Sequence, residues 1–130
     1  MRALVLTLVV AAFVAASATA AGHPTALPNC LGKPTVRPTA IVLACADANF
    51  GVKKLAWIGW GGARAAATGV AYANDCKPYC AAGHFHSQTV ELTLDQPVLF
   101  HGHLVFSQLT IHLDGPLAPY KTATVTFGLV

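Results

Sequence analysis

Three properties of the sequence predict an all-β fold. Apolar and polar residues alternate with a period of two, short Gly-, Pro- and Asp-containing turns separate the alternating segments, and no helical apolar stripe occurs after residue 21. The chain has 130 residues and four cysteines, which fits one small domain held by disulfides. The sequence therefore predicts an antiparallel β-sandwich of immunoglobulin-like type, or a small barrel, with two disulfides.

The N-terminal residues predict export. Residues 1–21 contain a positive start, an apolar run and a cluster of small residues, which is the pattern of a secretory signal peptide. The apolar run is short for a membrane span and no second one follows, so we expect no transmembrane anchor after processing. Residues 22–38 form an extended leader, because their four prolines exclude a helix interior and a central strand. The β-domain is predicted to span residues 39–130.

Six segments of that domain are predicted as strands. In the last three, apolar residues face one way and polar residues the other, as in a sheet with one buried face. The third segment is alanine-rich, which allows a helix, but Thr68, Val70 and Tyr72 share one face of a strand. The predicted strands are 39–46, 53–60, 64–73, 89–94, 105–113 and 123–129. The predicted turns are 47–51, 95–97, 101–103 and 114–116.

The charge pattern argues against nucleic acid as a partner. The formal net charge is +3, but the lysines and arginines are scattered except for the pair Lys53 and Lys54. Proteins that bind nucleic acid usually gather such residues into a stripe. The low charge suits a compact β-domain with an uncharged polar surface.

All four cysteines lie beyond the signal peptide, in an oxidising compartment where we expect them to pair. Of the three pairings, we favour the local one, Cys30 with Cys45 and Cys76 with Cys80. The first bridge would tie the leader to the first strand and contribute about 3 kcal/mol by closing a loop of about fifteen residues. The alternative is a zinc site made of Cys76, Cys80, His84 and His86. Export disfavours it, because thiols oxidise outside the cell.

Six histidines in so short a chain are its most unusual chemical feature. They include two His-x-His pairs, and each pair could offer two imidazoles to one ion because residues two apart share a strand face. The second interpretation is therefore an extracellular copper- or zinc-binding protein using His84, His86, His101 and His103. The alternative is that these histidines bind no metal and are polar residues of loops, in which case the protein has no cofactor. A separate Cu(II) or Ni(II) chelate, Ala21-Gly22-His23, would exist if the signal peptide is cleaved after Ala20.

The segment 57–62 combines two tryptophans with three glycines. In a regular strand Trp57 and Trp60 face opposite ways, but the glycines permit a bulge that changes this. Either both tryptophans are buried, or an exposed Trp60 forms an aromatic platform with Tyr79 or Tyr72. Such a platform would take sugar rings or a partner protein.

Enzymatic activity stays open but is not favoured. The sequence contains neither Gly-x-Ser-x-Gly nor His-Glu-x-x-His. Ser87 follows His86, but adjacent strand residues point to opposite faces and cannot act together. The third interpretation is a small hydrolase built on His84, His103 and Lys121. It ranks last because nothing in the spacing selects these residues among the six histidines.

Segments 43–49, 57–61 and 74–86 resemble a group of small secreted actinobacterial proteins of uncharacterised function. The most specific part is Asp-Cys-x-Pro-x-Cys-Ala-x-Gly-x-Phe-His, which occupies residues 75–86. The resemblance implies origin and export rather than an activity, and it makes residues 76–86 the first place to look for a site. Similar sequences often carry Asp-Gly-Asn where this chain has Asp47-Ala48-Asn49, so we expect no glycine-type turn there.

Together these observations predict a secreted binding or interaction module at or near the cell envelope, without a cofactor. Its partner would be an envelope glycan, a surface protein or a small ligand. The predicted binding residues are Trp57, Trp60, Tyr79, His84 and His86.

Overall fold

The computed structural model describes residues 23–117 and 120–130, and it confirms the all-β prediction. Six antiparallel strands form one sheet in chain order, so that each strand pairs with the next. These strands are β3 (Ala40–Val42), β4 (Phe50–Trp60), β5 (Ala65–Asn74), β6 (Phe85–Phe100), β7 (His103–Leu113) and β8 (Thr124–Gly128). Two shorter strands, β1 (Leu27–Pro28) and β2 (Pro34–Thr35), pair with each other.

The six-stranded sheet curls into a half-barrel. The ring centroid of Phe50 on β4 lies 5.3 Å from that of Phe127 on β8 and 4.6 Å from that of Tyr120. Since three strands separate β4 from β8 in the sheet, these contacts require strong curvature. Of the two predicted architectures, the small barrel therefore describes the sheet more closely.

The strand β5 makes room for this curvature. Its residues alternate between buried and half-buried from Ala65 to Ala73. The buried ones have small side chains or none: Ala65, Ala67, Gly69, Ala71 and Ala73. Larger buried side chains of β4, β6 and β7 fill the interior beside these small residues, among them Val52, Leu92, Leu94, Leu109 and Ile111. The alanine-rich segment is therefore a central strand, as its period-two pattern predicted.

Two β-bulges bring both tryptophans to the inner face. The register between β4 and β5 shifts once before Trp57 and once between Trp57 and Gly59, and each shift inserts one extra residue into β4. Trp57 and Trp60 then both oppose buried alanines of β5. Their ring centroids lie 4.5 Å apart, edge to face. The bulge that the glycines permitted is present.

The proline-rich segment belongs to the packed unit. Thr25, Ala26 and Leu27 are buried. The Ala26 N–H donates to the Leu104 carbonyl, and the Ala26 carbonyl accepts the Phe106 N–H, both at 2.9 Å. The prolines keep this segment out of a central strand, but the residues between them retain N–H groups that pair along a free stretch of β7. The fold therefore begins before the boundary predicted at residue 39.

Two turn predictions differ from the structure. Residues 95–97 lie inside β6, although Gln96 has a φ of 52°. The strand continues because the Ser107 hydroxyl donates to the Gln96 carbonyl at 2.7 Å, and the Gln96 and Gln108 side chains hydrogen-bond at 2.9 Å. Ala48 has a φ of 55°, the left-handed geometry that favours glycine. The expectation of no glycine-type turn there is therefore wrong.

Both predicted disulfides are present. The Cα atoms of Cys30 and Cys45 lie 5.4 Å apart, and those of Cys76 and Cys80 lie 3.7 Å apart. Because Cys76 and Cys80 are bonded to each other, the alternative zinc site does not form. In residues 23–117 and 120–130, no helix has the length and apolarity to cross a membrane. The predicted signal peptide and the first two residues of the Ala21-Gly22-His23 chelate lie outside the described residues.

Candidate functional site

Three connections meet at one end of the half-barrel: β3–β4, β5–β6 and β7–β8. In this up-and-down order, the β4–β5 and β6–β7 turns lie at the other end. The β5–β6 connection, residues 75–84, carries the predicted motif and is called the knuckle below. The Cys76–Cys80 disulfide closes it, its Lys77–Pro78 peptide bond is cis, and Cys80–Ala82 forms a short 3-10 helix.

Asn74, at the end of β5, ties the knuckle to the β3–β4 loop. Its side chain is buried, with 5% of the residue exposed. The amide nitrogen donates to the Cys80 carbonyl at 2.8 Å and to the Asn49 side-chain oxygen at 3.0 Å. The amide oxygen accepts the Cys76 N–H at 2.9 Å. One side chain thus holds both ends of the disulfide loop and the neighbouring loop.

Asp75 holds the other side of the knuckle. One carboxylate oxygen accepts the N–H groups of His84 at 2.9 Å and Lys77 at 3.1 Å, and the other lies 2.9 Å from Nε2 of His86. The hydrogen bond from the His86 ring, and then those from the His84 and Lys77 N–H groups, hold the pKa of the Asp75 carboxyl well below its usual range. Asp75 therefore satisfies backbone donors as an ionised side chain.

Gly83 leaves the space in which the knuckle closes. A Cβ at this position would overlap the side-chain oxygen of Asn74 and lie 2.8 Å from the Cys76 nitrogen. The cysteines, Asp75, Gly83 and His86 therefore each have a part in building the loop. The most specific sequence motif of the chain is explained by loop construction.

The four histidines predicted as metal ligands lie at opposite ends of β6. His84 and His86 are at its start, and the ring of His86 is hydrogen-bonded to Asp75. His101 and His103 are at the β6–β7 turn, after a strand of 16 residues. In the part of the chain that the structure describes, no three His, Cys, Asp or Glu side chains are grouped closely enough to hold a metal ion. The predicted four-histidine site is therefore not assembled.

The two tryptophans predicted to bind a partner contribute to packing. The Trp57 indole N–H donates to the Pro38 carbonyl, and that of Trp60 to the Thr25 carbonyl, both at 2.8 Å. Both rings are half-buried and pack against the core. Tyr79 is 64% exposed on the knuckle, at the other end of the sheet from Trp60. The platform that would combine an exposed Trp60 with Tyr79 is therefore absent.

The groups considered for a hydrolase do not meet. Ser87 lies on the outer face of β6, whereas His86 pairs with the buried Ala73 and points to the other face. His84 and His103 lie at opposite ends of the strand. Ser87 and His86 thus face opposite ways, as expected from the sequence, and His84 and His103 do not come together.

An open cleft of about 560 Å³ lies on the outer face of the sheet. Its lining residues are Ala40, Lys53, Tyr72, Phe85 and Ser87. The ring centroids of Tyr72 and Phe85 lie 6.1 Å apart at an interplanar angle of 56°, and Phe85 is 60% exposed. The Lys53 Nζ atom lies 5.7 Å from the Tyr72 ring centroid, within cation–π range. We call this surface the aromatic cleft.

Cross-strand pairing builds the aromatic cleft. Tyr72 pairs with Gly51 on β4 and with Ser87 on β6. A Cβ at Gly51 would lie 2.6 Å from the Tyr72 hydroxyl oxygen, so the missing side chain lets the tyrosine ring lie over β4. Lys53 and Phe85 each lie two residues from a partner of Tyr72 and therefore share its face. The cleft thus depends on the register of three strands.

The sequence predicts Tyr72 as a candidate for an aromatic platform, but it does not assign Lys53, Phe85 or Ser87 to a binding site. One signal was available, because Phe85 is a large aromatic residue between polar neighbours at the start of a strand. Its neighbours across the sheet depend on register, which the spacing does not supply. No protein-family model, curated protein or solved structure matches the chain.

Proposed function

We propose that this protein is a secreted binding module that holds a glycan of the cell envelope in the aromatic cleft. The signal-peptide pattern of residues 1–21 supports export. The two disulfides support it as well, since such bonds form and persist in oxidising compartments. An exported protein of this kind meets the envelope of its own cell first, and polysaccharide is a main component of that surface.

The exposure of Phe85 is the observation that carries this proposal. Its ring is 60% exposed beside the half-buried ring of Tyr72, where it adds little to the core. Aromatic faces stack on the apolar C–H faces of sugar rings, and the hydroxyl groups of Tyr72 and Ser87 can exchange hydrogen bonds with sugar hydroxyls. The volume of about 560 Å³ falls within the range of roughly 300–1,000 Å³ that is typical of small-ligand sites.

The lining of the aromatic cleft suits binding better than glycan cleavage. Glycoside hydrolysis uses a pair of carboxyl groups that flank the scissile bond. Among the described residues, those that line the cleft are Ala40, Lys53, Tyr72, Phe85 and Ser87, and none of them carries a carboxyl group. The cleft therefore offers stacking and hydrogen bonding without an acid pair.

Replacing Phe85 by alanine tests the proposal. The exported chain, with both disulfides formed, is mixed with purified actinobacterial cell walls, and bound protein is measured after sedimentation. Loss of one stacking ring should cost about 1.4 kcal/mol and weaken binding about tenfold. Leu99→Ala is the matched control, because it removes a side chain that is 78% exposed at the other end of the sheet. It should bind as the wild type does.

Circular dichroism and thermal unfolding establish that both variants keep the fold. The proposal is wrong if the wild-type protein does not sediment with the walls. It is also wrong if folded Phe85→Ala and wild-type protein bind equally well.

A further inference from the structure

We infer that the glycan held in the aromatic cleft is anionic, and that the ammonium group of Lys53 recognises its acid group. This inference rests on the proposed function and names the class of ligand. The acid group is a carboxylate, as in uronic acids, or a phosphodiester, as in polyol phosphates. Both place a negatively charged oxygen beside a sugar or polyol, which is the chemistry that one lysine in an aromatic cleft can recognise.

The position of Lys53 carries the inference. Among the described lining residues it is the one with a formal charge, and its Nζ atom lies over the ring of Tyr72. This contact holds the cation at the cleft, because the face of an aromatic ring is the negative end of its quadrupole. The residue is exposed, so all three ammonium donors are within reach of a ligand.

The carboxylates of the adjoining loops are already engaged by other groups. Asp75 accepts hydrogen bonds within the knuckle, from His86 among others. Asp47 accepts from the backbone N–H of Asn49 at 3.1 Å and from its side-chain nitrogen at 2.7 Å. Lys54 is the next residue in the chain and is exposed as well, but it does not line the cleft. Among the described residues neither carboxylate forms a salt bridge with Lys53, so its ammonium group keeps its charge for an anionic ligand.

The arrangement assigns separate tasks to the lining residues. Phe85 and Tyr72 provide the stacking surface, which accepts neutral and charged sugars alike. Lys53 provides the charge that discriminates between them, and Ser87 provides a hydroxyl beside the same surface. Removing the charge should therefore change selectivity more than it changes binding of neutral sugars.

The test measures binding by titration calorimetry with three soluble polymers: hyaluronate, a polyglycerol phosphate and dextran. The first carries carboxylates, the second phosphodiesters and the third no charge. Wild-type protein should bind at least one anionic polymer about tenfold more tightly than dextran, because a charge-assisted hydrogen bond is stronger than a neutral one. This preference should shrink as salt is raised from about 50 mM to about 300 mM.

Two lysine variants complete the test. Lys53→Gln should lower the affinity for the anionic polymer about tenfold and remove the preference, while it changes dextran binding much less. Lys54→Gln, its matched control, removes an equal charge one residue away and should keep most of the preference. A preference for hyaluronate identifies a carboxylate ligand, and a preference for polyglycerol phosphate identifies a phosphodiester ligand.

Three outcomes overturn the inference alone, and a fourth overturns the proposed function with it. If all three polymers bind equally well, the proposed glycan-binding function stands, but the inference that the glycan is anionic is wrong. The same conclusion follows if Lys53→Gln keeps the preference, or if none of the polymers binds while cell walls still bind through Phe85. Failure to bind both polymers and walls removes the proposed function as well.

Discussion

Replacing Asn74 by alanine would remove the side chain that joins the knuckle to the β3–β4 loop. Three hydrogen bonds are lost: to the Cys80 carbonyl at 2.8 Å, to the Asn49 side chain at 3.0 Å, and from the Cys76 N–H at 2.9 Å. The disulfide between Cys76 and Cys80 stays in place. The substitution therefore separates the contribution of the hydrogen bonds from that of the crosslink.

The expected loss of stability follows from those three bonds. Each contributes about 1 kcal/mol net, so the free energy of unfolding should fall by about 3 kcal/mol. Asn74 is 5% exposed, so water does not readily take the place of its amide. In a domain of about this size, each 1 kcal/mol corresponds to about 4–8 °C in Tm. We therefore expect the variant to unfold about 12–24 °C below the wild type.

Urea unfolding followed by fluorescence of Trp57 and Trp60 measures this loss. Asn49→Ala is the control: it removes one of the three bonds together with the exposed hydrogen bond from Asn49 to Asp47, and it should cost about 1–2 kcal/mol. The double variant should lose less than the sum of the two single losses, since both single variants break the same bond. If Asn74→Ala costs under about 0.5 kcal/mol, the disulfide alone holds the knuckle and the reasoning is refuted.

Two further predictions concern the same end of the half-barrel. Ala48→Gly should raise the free energy of unfolding in urea by about 0.5–1 kcal/mol, because it relieves left-handed strain at a φ of 55°. Ala46→Gly, at a residue of the same loop without a positive φ, should lower it; a gain in both variants would contradict this account. The folded-state pKa of Asp75 lies below its ordinary value of 3.8, so its stabilisation is complete above that value and is lost as the pH falls below it. Asp75→Asn should therefore lose less stability than the wild type between about pH 5 and about pH 2, and equal losses would count against the role given to Asp75.

The strands of the sheet could be predicted because one of its faces is buried. In β5 burial alternates from Ala65 to Ala73, and the period-two pattern identified a strand even though alanine favours helices. The prediction failed where contacts between strands outweigh local turn chemistry. Gln96 and its neighbours have the composition of a turn, yet Ser107 and Gln108 bind Gln96 from the opposite strand, 11 and 12 positions along the chain. Such pairing partners are not visible in a window of local sequence.

The disulfides could be predicted for a different reason, since both close short loops and the predicted export favours pairing of the cysteines. The aromatic cleft could not be predicted from the sequence. Lys53 and Phe85 belong to strands on either side of β5, and their approach depends on where the bulges of β4 fall and on how β6 pairs. The predicted aromatic platform used Trp60, because the glycines around it permit a bulge that could expose its ring. The first bulge of β4 turns Trp57 inward, and the second places Trp60 on the same face.

The knuckle and the aromatic cleft are connected through the register of β6. The Asp75 N–H donates to the His84 carbonyl at 3.0 Å, and the Asp75 side chain accepts the His84 N–H at 2.9 Å. These two bonds fix the pairing of Asn74 with Phe85, from which the rest of β6 follows. A slip of one residue would turn Phe85 to the inner face and take it away from Tyr72. The polar groups of the motif hold the loop, and through the register of β6 the motif also sets which face of the sheet carries the exposed ring of Phe85, and with it the proposed binding site.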